Sequence, residues 1–318
     1  MSIKNNKKIL ILGGGGYVGS HLSNYLIDKG FLVTVYDNFW FGNKLKKRKN
    51  LKLIKGDIRD LKNFSFKNYY AIIHLANIAN DPSVELNPSL SWDVNVFASY
   101  EIIKKAIDQN VKKFIYASSG SVYGIKKEKL VTEDLDLKPL SVYNRTKMIA
   151  ERIFLSFSDQ IKIYSVRPAT VCGVSPRMRL DVTVNLLTFK ALKYGEMTLF
   201  GGDQIRPNIN INDMSRVYEF FLEKNVKPGF YNAGFENLSI KQIAKRIQSK
   251  IPSKIKIKKV FDERSYRQCS DKLLEAGFVR KFGVDDAIED IINNFNNGTI
   301  KDNPSYYTVK WLKKIKVI

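Results

Sequence analysis

Seven residues near the start of the chain restrict its fold more than any others. Gly13-Gly14-Gly15-Gly16-Tyr17-Val18-Gly19 follows the apolar run Ile9-Leu10-Ile11-Leu12 directly and opens a stretch with helical spacing. A strand that turns through glycines into a helix lets backbone approach a ligand closely, because no Cβ intervenes. The helix start then offers unpaired N–H groups and the positive end of its dipole, which suit a pyrophosphate. Glycine strings by themselves say little, and a floppy turn is the plain alternative. The strand before and the helix after are the context that a dinucleotide loop demands.

A carboxylate supports the same reading. Asp37 ends the next strand candidate, 21 residues after Gly16. There it can accept hydrogen bonds from ribose hydroxyls and would repel a 2′-phosphate, which favours NAD over NADP. The rival is that the basic run Lys44–Lys49 binds such a phosphate.

The first half of the chain alternates short apolar strands with helical patterns. Strands are expected at Lys8–Leu12, Val33–Tyr36, Lys52–Ile54, Ala71–Leu75, Lys113–Ala117 and Lys162–Val166, and helices at Val18–Ile27, Ser89–Gln109 and Val142–Phe157. Repeated strand–helix–strand units predict an α/β fold, a Rossmann-like doubly wound parallel sheet with ligands at the strand C-termini. After about Arg167 the rhythm weakens. Helices near Val182–Tyr194, Ile240–Lys250 and Val284–Asn296 and a strand near Phe230–Asn232 predict a smaller C-terminal substrate-binding lobe. The expected division is residues 1–170 for the NAD-binding domain, with contributions from later segments, and residues 171–318 mostly for that lobe.

Composition narrows the setting. The net charge is +22, but the lysines are spread along the chain and no aromatic-interleaved basic groove accompanies them, so no specific nucleic-acid partner is expected. No apolar run is long enough for a membrane span, and the N-terminal apolar run is too short for a signal-peptide core. Cys172 and Cys269 form neither a disulfide framework nor a metal cluster, so no metal is expected and a reducing cytoplasm fits.

Tyr143 and Lys147 lie one helical turn apart and share a face. A tyrosine hydroxyl, with an ordinary pKa of about 10, can exchange protons near neutral pH when a cation stabilises its phenolate. A serine nearby can orient a substrate alcohol. The YxxxK spacing also occurs at Tyr25/Lys29, Tyr100/Lys104, Tyr123/Lys127 and Tyr306/Lys310, so spacing is not enough. Tyr143 differs because it opens a helix after the fifth strand, which ends in Ser118-Ser119-Gly120-Ser121.

Together these motifs resemble the extended short-chain dehydrogenase/reductases, specifically the NAD-dependent nucleotide-sugar epimerase/dehydratase family, over nearly the whole chain. The resemblance implies that Gly13, Gly16, Tyr17, Val18 and Gly19 cradle NAD. Asp37 and Asn38 would hold its ribose, and Asp57 and Ile58 its adenine. Leu75, Ala76 and Asn77 would run along it, with Asn95, Tyr143, Lys147 and Pro168 completing the cofactor set. Ser119, Tyr143 and Lys147 match the catalytic group. Ser119, Ser121, Thr170, Asn185, Arg206 and Arg264 are the implied substrate contacts, the last three toward a diphosphate. Departures are Leu12 for a usual Thr, Asn77 for a usual small residue and Asn210 for a frequent His.

The implied activity is epimerisation of a nucleotide-diphosphate sugar at C4. A 4-oxidase or 4-ketoreductase would use the same residues. A 4,6-dehydratase is less favoured, since Gly120 and Ser121 stand where those relatives carry Asp-Glu. An NAD-binding sensor or scaffold is the non-enzymatic alternative. Family likeness also implies a homodimer formed through the helices around Ser89–Gln109 and Val142–Phe157.

Overall fold

The computed structural model describes residues 7–260 and 265–316. Seven parallel strands form the main sheet: β1 (Lys8–Leu12), β2 (Leu32–Asp37), β3 (Leu51–Lys55), β4 (Ala71–His74), β5 (Lys113–Ala117), β6 (Lys162–Pro168) and β10 (Gly229–Ala233). Their order is β10-β6-β5-β4-β1-β2-β3. The chain winds outward from β1 through β2 to β3, then returns to the other side of β1 with β4. The order therefore reverses between β1 and β4, where Leu12 pairs with His74. Crossovers leave this switch point open at the strand C-termini, which makes it the crevice for a ligand.

Alternation along the strands builds two cores. In β1, Ile9 and Ile11 face one side with Leu22 and Leu26 of α1 (Tyr17–Asp28). Leu10 and Leu12 face the other, with Ile102, Ile103 and Ala106 from α4 (Ala98–Asp108) and Ala150 and Phe154 from α5 (Val142–Leu155). All of these are buried, as expected for a parallel sheet covered on both faces. Ahead of α4 lie the short helices α2 (Asp81–Val84) and α3 (Pro88–Trp92). The continuous helix expected over Ser89–Gln109 is interrupted by a π turn at Asp93–Phe97. That turn buries the Asn95 amide, whose Oδ1 accepts from Ile78 N at 2.9 Å and whose Nδ2 donates to Thr146 Oγ1 at 3.1 Å.

The second half holds β7 (Thr170–Cys172), α6 (Thr183–Tyr194), β8 (Glu196–Phe200), β9 (Ile205–Asn210), α7 (Ile211–Glu223), β11 (Glu236–Ser239), α8 (Ile240–Lys250), β12 (Lys254–Lys258), α9 (Asp271–Glu275), α10 (Val284–Asn296) and α11 (Thr308–Ile315). The strands β7, β9 and β11 form one small sheet, and β8 pairs with β12. Val184, Leu187, Ile243, Ile247 and Ile288 make a separate core among α6, α8 and α10. Helix α7, absent from the expectations above, belongs with the main sheet. Its Met214, Val217 and Phe221 join the α1 face, where they extend the core beneath β10.

Phe154 is fully buried between Phe114, Tyr116 and His74, with ring centroids at 4.8, 4.6 and 5.7 Å. Phe154→Ala should therefore cost about 3–5 kcal/mol, read as a lower urea midpoint with an unchanged slope.

Candidate active site

The glycine turn is forced by its neighbours. Gly13 adopts φ +85°, and a Cβ on it would stand 2.4 Å from Ala76 N. A Cβ on Gly19 would stand 2.2 Å from Gly13 O. Gly16 caps α1 without any side-chain acceptor, so the first turn keeps its N–H groups for a ligand. Asp37 braces the turn: Oδ2 accepts from Gly15 N at 2.8 Å and Oδ1 from Phe39 N at 2.7 Å. Burial raises its pKa, against the lowering effect of those two N–H groups.

Two cavities meet over this turn and share Gly13, Gly16, Leu75 and Asn77 in their walls. One runs toward Asp37, Asn38, Asp57, Ile58 and Ala76. The Asp57 carboxylate is held there by Arg59, at 3.0 and 2.7 Å. The other runs past Tyr17, Val18 and Gly19 to Tyr143, Lys147 and Pro168. The groove thus has acids at one end, the glycine turn in the middle and the Tyr143–Lys147 pair at the other end, an order that suits a dinucleotide. Asn77 gives an independent indication of fit. Both atoms of its buried amide lack a protein partner, although burying an amide unpaired costs about 1–3 kcal/mol. A polar ligand in the groove would satisfy it.

Helix α5 sets the reacting end. Ser141 caps it by accepting from Asn144 N at 3.1 Å, which turns Tyr143 and Lys147 toward the C-terminal end of β5. Lys147 donates to Ala117 O at 2.7 Å and lies 5.9 Å from the Tyr143 ring centre. Burial pulls its pKa down to about 7 and pushes that of Tyr143 up to about 12, which Ser119 opposes. Ser119 Oγ is 2.7 Å from Ser121 Oγ, and Ser121 donates on to Asn144 Oδ1 at 2.6 Å. Tyr143, Ser119, Ser121 and Asn144 form one connected patch.

Beneath them lies a feature the sequence reading missed. Glu151, one turn past Lys147, is fully buried and forms an ion pair with Arg167 of β6 at 2.6 Å. Its other oxygen accepts from Ser118 Oγ at 2.7 Å and Arg167 Nε at 3.2 Å. The signal available was a carboxylate on the apolar face of α5, between Ala150 and Phe154, since a buried charge needs a partner.

Other expected residues are placed differently. Asn95 spends its amide on Ile78 and Thr146 rather than lining either cavity. Asn185 is enclosed in the second lobe: Oδ1 accepts from Gly173 N at 2.9 Å, and Nδ2 donates to Tyr17 Oη at 3.1 Å and Arg179 O at 2.9 Å. Arg206 lies on β9 and donates to Ile205 O at 3.1 Å, and Thr170 lies on β7. Arg264 falls outside the described residues. Trp40, Phe41, Arg177, Arg179, Thr308 and Leu312 also line the groove, with no counterpart among the expectations.

Residues 9–234 match the NAD dependent epimerase/dehydratase family. The chain belongs to that family. It is an NAD-dependent, epimerase-like enzyme. A UDP-glucose 4-epimerase of Lactobacillus helveticus is 29% identical over 76% of this chain and 81% of its own length. Among solved structures, the Thermotoga maritima UDP-glucose 4-epimerase with UDP-glucose superposes with a TM-score of 0.83 at 25% identity, covering 92% of this chain and all of that one. The UDP-N-acetylglucosamine 4-epimerase of Methanobrevibacter ruminantium shares the fold at a TM-score of 0.85 and 22% identity, over 92% of this chain and 99% of that one. No helix among the described residues is long and apolar enough to cross a membrane.

The pKa of Lys147 makes a stability prediction. The unfolded chain keeps this lysine charged up to pH 10.5, whereas the folded protein releases its proton near pH 7. The unfolded state binds more protons between these values, so folded stability falls as pH drops from 10.5 to 7. Lys147→Met removes that penalty. In urea titrations its stability relative to wild type should improve toward pH 7 and decline toward pH 10.5; a difference independent of pH would contradict the assignment.

Proposed function

We propose that this protein is a nucleotide-sugar 4-epimerase acting on a UDP-hexose. The observation that carries the proposal is the Tyr143–Lys147 pair, set one turn apart at the far end of the dinucleotide groove with Ser119 connected to it through Ser121 and Asn144. NAD, when bound, supplies a reversible hydride acceptor beside the sugar carbon.

The rest is the work of side chains. Tyr143 Oη takes the proton of the C4 hydroxyl as the carbon is oxidised and returns it after the keto sugar has presented its other face. The Lys147 ammonium stabilises the phenolate that takes up this proton and that forms again when the proton is returned. Burial pulls the Lys147 pKa down to about 7, and the negative charge of a Tyr143 phenolate beside it favours the ammonium form. Ser119 orients the sugar hydroxyl. Asn77 and the glycine turn bind the cofactor, and Arg206 and Arg264 are assigned to the diphosphate of the substrate. Ser121 and Thr170 complete the sugar pocket. Gly120 and Ser121 offer no carboxylate for eliminating water, which favours epimerisation over dehydration.

We assign the NAD-binding domain to residues 1–170 with later contributions and the substrate lobe mostly to 171–318. A homodimer through α4 and α5 is supported by Phe97 and Tyr100, which are 64% and 44% exposed beside these helices. The free thiols Cys172 and Cys269 support a cytoplasmic location.

NMR of purified protein incubated with UDP-glucose, and separately with UDP-N-acetylglucosamine, should show the C4 epimer of at least one without net NADH. Stoichiometric NADH with a released keto sugar would contradict epimerisation. Tyr143→Phe should lower kcat by about 10²–10⁴, a far larger effect than any on NADH affinity, since the lost hydroxyl serves proton transfer.

A further inference from the structure

Arg177 is one of the buried cations among the described residues. It lies in the segment between β7 and α6 and is only 3% exposed. Its guanidinium stacks 3.8 Å from the centre of the Phe41 ring, and Nη2 donates to Thr308 Oγ1 at 3.1 Å. Its Nε has no protein partner. Burial pulls its pKa down to about 9, and the neighbouring Arg179 adds to that effect. The acids nearest in charge are already engaged: Asp181 accepts from Arg179 at 2.8 Å and from Thr308 N at 2.8 Å, and Asp37 accepts two backbone N–H groups. A buried guanidinium with an unspent N–H calls for an anion, because an uncompensated internal charge is strongly disfavoured.

The anion's place is set by what shares the cavity. Arg177 lines it together with Gly13, Gly16 and Gly19, at the start of α1. The backbone of Arg177 is tied to that helix, donating to Ser20 Oγ at 3.1 Å. A ligand reaching from Asp37 and Asp57 to Tyr143 crosses the cavity that the glycine turn and this guanidinium line together.

The end of the chain closes over the same point. In α11, Thr308 holds Arg177, Leu312 lines the cavity, and Trp311 Nε1 donates to Trp40 O at 2.6 Å. Trp40 and Phe41 follow the ribose-binding acid of β2. Helix α11 therefore fastens the loop after β2 to the segment 175–181, across the mouth of the groove.

We propose that Arg177 grips the diphosphate bridge of NAD and that α11 is a clasp which keeps the cofactor bound between turnovers. This rests on NAD binding and not on the identity of the sugar. Retention suits a reaction in which the hydride must return to the molecule it left.

The test is NADH binding to the full-length protein stripped of cofactor, followed by nicotinamide fluorescence, with a chase by excess NAD to obtain the release rate. Arg177→Leu should weaken NADH about tenfold or more, the effect of losing one charged hydrogen bond, with UDP affinity unchanged. Arg177→Lys, which keeps the charge but not the fork or the ring stack, should lose less. Trp311→Ala, at a partly exposed residue, should speed NADH release about tenfold with little change in association. NADH affinity within twofold of wild type in the Arg177 variants would overturn the grip, as would loss of UDP affinity in place of NADH. If Arg177→Leu does not fold, Arg177→Lys decides the point. An unchanged release rate in Trp311→Ala would overturn the clasp. Failure of wild-type protein to bind NADH would instead remove the cofactor assignment itself.

Discussion

The buried pair of Glu151 and Arg167 is the interaction on which the reacting edge depends. Neither residue can be charged inside the protein without the other, and losing one partner of such a pair typically costs about 3–5 kcal/mol. Glu151 belongs to the helix that carries Tyr143 and Lys147, and Arg167 to the strand beside β5. Through Ser118, the same carboxylate grips the end of β5, next to Ser119. One carboxylate thus fixes the register of helix against sheet at the point where Ser119, Tyr143 and Lys147 converge. Arg167 extends the connection outward, donating to Tyr123 Oη at 2.8 Å, which in turn donates to Asn232 on β10 at 2.8 Å.

The opposite half of the groove is governed by backbone rather than charge pairs. Gly13 and Gly19 leave room for one another and for Ala76, and Asp37 draws the turn against β2. The groove is electrically graded: carboxylates at Asp37 and Asp57, helix-start N–H groups and the Arg177 guanidinium in the middle, and Lys147 with Tyr143 at the far end. Such a gradient orders a molecule with hydroxyls at one end, a diphosphate in the middle and a redox ring at the other.

Much of this was legible in the sequence, for a physical reason. Strands buried on both faces read as short apolar runs, so β1 and β5 have the bounds expected of them, and the glycine turn and Asp37 follow at fixed distances. Helix α7 was overlooked although Ile211, Met214, Val217, Tyr218 and Phe221 carry plain helical spacing, because the preceding Asn-rich strand gave no pattern to anchor it. The π turn at Asp93–Phe97 could not be foreseen, since it answers a tertiary demand: Asn95 must reach both Ile78 and Thr146. Trp311 to Trp40 and Arg177 to Thr308 join positions 271 and 131 residues apart, and no local pattern encodes such contacts. The diphosphate assignments of Asn185 and Arg206 came from likeness alone, and the hydrogen bonds of Asn185 hold it to Gly173, Tyr17 and Arg179.

Under the proposed epimerisation, hydride leaves and rejoins the same sugar carbon within one closed site. Incubating the protein with UDP-glucose deuterated at C4 tests this most directly. The expected product is UDP-galactose that keeps its deuterium at C4, with none lost to solvent or to the free cofactor pool. Deuterium washed into water, or carried away on released cofactor, would contradict it.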